Sequence, residues 1–198
     1  MTDYQFTQDW FSWAPVVWEQ LIPMLPGKRA FLEIGSFEGR STVWIVENMM
    51  EDGGFIDCVD TWGGGEEHGE EDMDAVFDRF QNNVKAAEAK YPQRRVCEHP
   101  FTSQWALSQF NAKMHGDTVY DFIYIDGSHI AKDVLTDACM AWPLLKPKGI
   151  MVFDDYVWGE PRDILHRPKP AIDCFTNLFA EELNIVHVGY QLIIQKKG

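Results

Sequence analysis

The sequence is short of positive charge, of paired cysteines and of long apolar runs. Seventeen Lys and Arg stand against 31 Asp and Glu, for a formal net charge of −14. That balance speaks against a nucleic-acid backbone or an anionic membrane as partner, because both carry the same sign. No stretch approaches the roughly 18 consecutive apolar residues of a membrane-spanning helix. The opening MTDYQFTQDW has neither the basic region nor the apolar core of a secretory signal. The four cysteines, Cys58, Cys97, Cys139 and Cys174, show no CxxC spacing, which argues against zinc or a redox pair, and three fall in expected core segments. Reduced thiols and a cytoplasmic setting are therefore expected. No internal repeat is visible, and the dinucleotide fingerprint GxGxxG is missing, which disfavours NAD and FAD. What remains, at 45% hydrophobic residues over 198 positions, is enough for one sizeable core.

The stretch from Asp121 to Tyr156 is the most informative. Phe122–Ile125 is an apolar run of β-formers ending at Asp126-Gly127-Ser128. Ile130, Val134, Ala138 and Trp142 recur at four-residue steps and predict a helix stopped by Pro143. Lys146-Pro147-Lys148-Gly149 reads as a turn. Ile150–Phe153 is a second apolar strand, ending at Asp154-Asp155. A strand–helix–strand unit of this length closes as a right-handed crossover with parallel strands. Asp126, Asp154 and Asp155 then converge at the carboxyl edge of the sheet, where open α/β sheets bind ligands. Three crowded carboxylates repel unless a cation joins them, and Mg²⁺ or Ca²⁺ suits oxygen ligands. The plainer alternative is that each acid is a helix cap or a solvated strand end.

The rest of the chain alternates in the same way. Trp10, Trp13, Val17 and Leu21 suggest a helical segment within residues 1–29, packed on the core or on a partner; its three tryptophans could instead line a substrate pocket. Ala30–Ile34 predicts the first strand, with a helix opening near Arg40-Ser41 and closing at Glu51-Asp52-Gly53-Gly54. Phe55–Val59 is the second strand, ending at Asp60. Thr61–Asp72, with four glycines and five acids, reads as a solvated linker or a lid over the site. Met73, Val76, Phe77, Phe80 and Val84 predict an amphipathic helix. Arg95–Cys97 is a third strand, and Ser103 a cap for a helix holding Leu107 and Phe110. Val157–Pro170 reads as a proline-containing loop. A helix carrying Ile172, Phe175 and Phe179 follows, then a hairpin around Gly189-Tyr190. Residues 30–198 thus predict one α/β domain, a three-layer sandwich.

FLEIGSFEGRS, residues 31–41, is the second informative stretch. A strand carrying Glu33 runs into a glycine turn and a helix. Gly35 and Gly39 allow the backbone to approach a ligand whose anionic end the helix terminus favours. Asp60, ending the next strand, is placed to bond ribose hydroxyls. Together these point to a nucleoside-containing cofactor, although Glu33 alone is as well explained by a structural hydrogen bond.

The order ExGxxxGxS, an acid after the second strand, IDGSH, a Pro-Lys-Gly turn and a DDY strand end resembles the class I S-adenosylmethionine (SAM) methyltransferases. It is most similar to the metal-dependent O-methyltransferases of the catechol type and of the sugar and macrolide type, grouped with cephalosporin-hydroxylase-like proteins. The resemblance implies a Rossmann-like, mostly parallel seven-stranded sheet with an antiparallel C-terminal hairpin. It implies that Glu33, Gly35, Ser36, Phe37, Gly39 and Ser41 hold the methionine part of SAM, and that Asp60 binds the ribose. Thr61, Trp62 and Ser103 would lie near the adenine. Asp126, Asp154 and Asp155 would ligate Mg²⁺ or a similar cation, with Asp126 also beside the cofactor. His129, three positions after Asp126, would be the general base; Glu160 is the alternative acid for the proton. The implied reaction is O-methylation of one hydroxyl of a vicinal pair on a small molecule or sugar, in an enzyme that is a monomer or a homo-oligomer. A metal-dependent hydroxylase or hydrolase, and a non-catalytic SAM-binding protein, are the alternatives. Iron would prefer two histidines with one carboxylate, and only His129 stands near the aspartates.

Overall fold

Ala30–Ile34 (β1) is buried at every residue and lies at the centre of the sheet in the computed structural model. The structure describes residues 4–65, 69, 71–114, 117–159 and 163–198. Beside β1 run Phe55–Val59 (β2), Arg95–His99 (β3), Tyr120–Ile125 (β4), Leu145–Phe153 (β5), Leu183–Val188 (β6) and Leu192–Lys196 (β7). The order is β3-β2-β1-β4-β5-β7-β6, with β1 to β5 mutually parallel and β7 antiparallel to both of its neighbours. This is the seven-stranded Rossmann-like sheet with a C-terminal hairpin that the sequence predicts. The chain builds outward from β1 to β3, then crosses back to β4, so the switch in strand order falls between β1 and β4. Ligands bind in the crevice at such a point.

Among the described residues, six α-helices cover the two faces. Pro15–Leu21 (α1), Arg40–Trp44 (α2) and Met73–Lys90 (α3) share one apolar core with Phe31, Ile56, Phe122 and Tyr124. Ser103–Met114 (α4), Ala131–Ala141 (α5) and Lys169–Leu178 (α6) share the other with Leu32, Ile123, Met151 and Phe153. Alternate strand residues therefore face opposite layers, as pleating requires. Each face needs its own helical cover, which gives three layers.

Several local expectations are corrected. α1 starts at Pro15, so Trp10 and Trp13 precede it and are substantially exposed; the buried stripe is Ala14, Trp18 and Leu21. Trp18 packs edge-on against Phe122 at 5.1 Å and Tyr124 at 4.8 Å. The helix after the glycine turn ends in a π turn at Met49, so left-handed Gly53 belongs to the turn before β2 rather than to a helix cap. Lys146–Gly149 is not a free turn. β5 absorbs it as an irregularity between the Tyr120–Leu145 and Phe122–Ile150 pairs, with Lys148 at φ +63°. The residue capping α4 is Thr102, whose Oγ1 accepts from Trp105 N at 3.4 Å. α6 begins at Lys169, inside the expected loop, because Pro170 suits a first helical turn. Only Cys58 is fully buried; Cys139 and Cys174 are exposed, and all four thiols are free. Within the two expected loops, Thr61–Asp72 and Val157–Pro170, residues 66–68, 70 and 160–162 lie outside the described residues, and with them Glu160. No helix among the described residues is long and apolar enough to cross a membrane.

Candidate active site

The glycine turn after β1 and the carboxyl end of β4 meet at the switch point. Asp126 N donates to Ile34 O at 2.8 Å. Gly35 has φ +83°, and a Cβ there would lie 1.9 Å from Asp126 O, so no other residue fits without moving β4. Asp60, ending β2, braces the turn from the other side. Its Oδ2 accepts from Ser36 N at 2.9 Å and Phe37 N at 3.0 Å, and its Oδ1 from Trp62 N at 2.7 Å.

A cavity of about 930 Å³ opens above this junction. Gly35, Ser36, Phe37, Ser41, Asp60, Thr61, Ser103, Asp126, His129, Asp154 and Asp155 all line it. The structure thus brings together most of the residues expected at the site, from the ends of β1, β2, β4 and β5 and the start of α4. Three it does not. Glu33 is wholly buried beneath the turn, where its carboxylate accepts from Ser41 Oγ at 2.6 Å and from Thr42 Oγ1. Burial pushes its carboxyl up, against the downward pull of those hydroxyls. Trp62 packs on Phe77 and Phe80 at 4.6 and 4.7 Å and donates Nε1 to Phe37 O at 2.9 Å. Gly39, at φ +77°, sits tight against Phe80. All three support the turn from below.

At the other end of the cavity the acids converge. Tyr124 OH, buried, donates to Asp126 Oδ2 at 2.9 Å and also bonds Asp154 Oδ2. Asp154 Oδ2 accepts from Gln191 Nε2 at 3.0 Å, and Asp154 Oδ1 from Asp155 N at 2.7 Å. Gln191 is held in turn by Trp18 Nε1 at 2.8 Å, which ties α1 to the site. Asp155 adopts φ +57°, a strained conformation for a residue with a side chain, and its Oδ1 accepts from Tyr190 OH at 2.6 Å. His129 Nε2 lies 2.7 Å from Asp155 Oδ2, and its ring packs on Trp158 at 4.1 Å. Burial, then the charges of Asp154 and Asp155, push Asp126 well above the usual carboxylate range. Burial and Asp155 push Asp154 up to about 6. Like charges crowded in a low-dielectric pocket resist joint ionisation, and a cation would relieve them.

One ligand atom from each of Asp126, His129 and Asp155 lies within 4.8 Å of the others, a spacing that could hold a metal ion. Asp154, though adjacent, has both oxygens engaged by neighbouring donors. The sequence offered no sign of Gln191 or Tyr190. Tyr124 was legible, since it lies two residues before Asp126 and so on the same strand face.

A family model for the methyltransferase domain matches residues 32–156. Among solved structures, an O-methyltransferase from Bacillus cereus in complex with SAH superposes with a TM-score of 0.67 at 18% identity, covering 98% of this chain and 84% of that one. The MycE methyltransferase of the mycinamycin biosynthetic pathway, in complex with Mg, SAH and mycinamycin VI, gives 0.61 at 14% identity, covering 96% of this chain and 51% of that one. CalS11, a TDP-rhamnose 3'-O-methyltransferase of calicheamicin biosynthesis, gives 0.59 at 12% identity, covering 94% and 81%. At these identities the likeness establishes the fold. No curated protein sequence matches the chain. The family model spans well over half of the 198 residues, including the glycine turn and all three strand-end acids, and the chain therefore belongs to the methyltransferase-domain family and is a methyltransferase.

Proposed function

We propose that this methyltransferase is SAM-dependent and divalent-metal-dependent and methylates a hydroxyl, one of a vicinal pair, on a small molecule or sugar. The observation that carries the proposal is the convergence of Asp126, His129 and Asp155 at one end of a cavity whose other end is the glycine turn and Asp60. The cavity volume is in the range of cofactor sites, and the residues fit a cofactor with an amino-acid end and a ribose. Gly35 brings the backbone close, and Asp60 stands where ribose hydroxyls would lie. When bound, SAM supplies an electrophilic methyl group and a divalent cation supplies positive charge for a developing alkoxide. Hard oxygen ligands such as Asp126 and Asp155 suit Mg²⁺. Asp154, fixed by Tyr124 and Gln191, would hold this edge in place and contribute charge.

His129 is the proposed base. Its Nε2 lies against the Asp155 carboxylate and its ring packs on Trp158, so in the neutral imidazole Nε2–H donates to Asp155 and Nδ1 is the nitrogen that would take the hydroxyl proton. The close grouping of His129 with Asp126 and Asp155 favours a competing role for it, as a third metal ligand in place of the base. Residues 1–29 would act as a cover: Trp10, Trp13 and Phe11 all line the cavity, and Thr7 N and Oγ1 clamp Glu38 at 2.6 and 2.8 Å. The test is methyl transfer from SAM to a panel of catechols and sugar diols. Turnover should vanish on exhaustive chelation and return with Mg²⁺. Full activity after chelation would overturn the metal requirement, and NAD competing with SAM at similar affinity would overturn the cofactor assignment.

A further inference from the structure

We propose that Asp137 recognises the adenine ring of the cofactor, its carboxylate accepting a hydrogen bond from the exocyclic amine. The proposal rests on the SAM reading above and adds a contact outside the residues that reading uses. Asp137 lies on α5, one turn beyond Asp133, and is only 2% exposed, yet it lines the cavity. Gln104 Nε2 is 3.5 Å from its Oδ1, a long contact, and the Ser103 hydroxyl acts on it in the same stabilising sense. Among the described residues the charge acting on it is a like one, Asp133, and Ser128 Oγ already bonds Asp133 at 3.0 Å. A buried carboxylate with one long amide contact, one hydroxyl and no cation has acceptor capacity to spare.

Strand order says which part of the cofactor would lie beside Asp137. The glycine turn follows β1, Asp60 follows β2, and Ser103-Gln104 open α4 after β3, at the far edge of the parallel strands from β5. Methionine, ribose and base would follow the same order outward, away from the metal end. Along the adenine edge the ring nitrogens are acceptors and the exocyclic amine is the donor. A carboxylate suits that amine and repels the carbonyl oxygen that hypoxanthine carries in its place.

The experiment is calorimetry at pH 8 with two probes, S-adenosylhomocysteine and S-inosylhomocysteine, which differ at C6, amine against carbonyl, and at the adjoining N1, bare against protonated. The wild-type protein should bind the adenosyl compound roughly 10- to 100-fold more tightly, the range of one charged hydrogen bond. Asp137→Asn, whose amide can donate as well as accept, should narrow the ratio to within about threefold. Equal affinities in the wild type would overturn the proposal with no variant needed, as would an unchanged ratio in Asp137→Asn. Wild-type protein binding neither probe would overturn the SAM reading together with this one.

Discussion

Replacing Asp137 with Asn should stabilise the ligand-free protein, and should do so only above the acid range. Burial, opposed in part by Ser103 and reinforced by the charge of Asp133, pushes the Asp137 carboxyl up to about 7 from an ordinary value of 3.8. The folded state therefore holds this proton over about three pH units in which the unfolded chain has released it. At about 1.36 kcal/mol per unit, the ionised carboxylate costs the fold at most about 4 kcal/mol above pH 7. The sign is opposite to that of a salt-bridged Asp. Below about pH 4 both states are protonated and the cost is absent; it grows between pH 4 and 7 and is complete beyond. Asparagine keeps the shape and never ionises. Urea unfolding at pH 8 should show the variant more stable by up to about 4 kcal/mol, and its melting temperature higher by about 2–4 °C per kcal/mol for a chain of this size. At pH 4.5, where the unfolded carboxyl is already mostly ionised, the difference should shrink to about a quarter of that. The other buried acids titrate alike in both and cancel in the difference. An equal change at both pH values, or a variant less stable at pH 8, would refute the reasoning. It would show that Ser103 and Gln104 compensate the charge fully.

Two further perturbations address the proposed metal end. His129→Ala should lower kcat by roughly 10²–10⁴, the usual range for a lost base. Calorimetry should show SAM affinity unchanged; Mg²⁺ affinity should also survive if His129 is the base and fall sharply if it is a ligand. Tyr190→Phe removes the hydroxyl that holds Asp155 Oδ1 at 2.6 Å. It should weaken Mg²⁺ binding about 10–100-fold, as loss of a group orienting a metal ligand does, and an unaltered Mg²⁺ titration would detach Tyr190 from the site.

The strand ends were readable because two strong signals coincide there. Short apolar runs fix β1, β2, β4 and β5, and an acid or glycine directly after such a run must lie at the carboxyl edge whatever the loop does. Asp60, Asp126, Asp154 and Asp155 follow from that alone. Side-chain direction did not follow. Glu33 sits within β1, where alternation places it on a layer face, and two hydroxyls of α2 capture it there. The resemblance put Trp62 near the adenine, but its ring packs on Phe77 and Phe80 of α3 and bonds Phe37 O of the glycine turn. The N-terminal aromatics misled by period. Trp10, Trp13 and Val17 mimic a helical stripe, whereas Pro15 sets the helix start and hands the buried face to Ala14, Trp18 and Leu21. Asp137 carries no sequence signal, being one polar residue among many on a helix. Its importance comes from α4 and α5 packing around it.

Both ends of the cavity therefore hold carboxylates at a cost to the fold, and for the same reason. At the end proposed to hold the metal, Asp126, Asp154 and Asp155 repel one another, and Tyr124 and Gln191 supply neutral donors that relieve part of the strain without adding charge. At the end proposed to hold the adenine, Asp137 has Ser103 and Gln104, again neutral. A fold selected only for stability would place Lys or Arg beside such groups. Pre-existing cations would also occupy the positions that a metal ion and a donor-bearing ring would take, and so compete with them. Leaving the acids with neutral partners makes ligand binding do the compensating, and anything that binds only the folded state raises its stability by mass action.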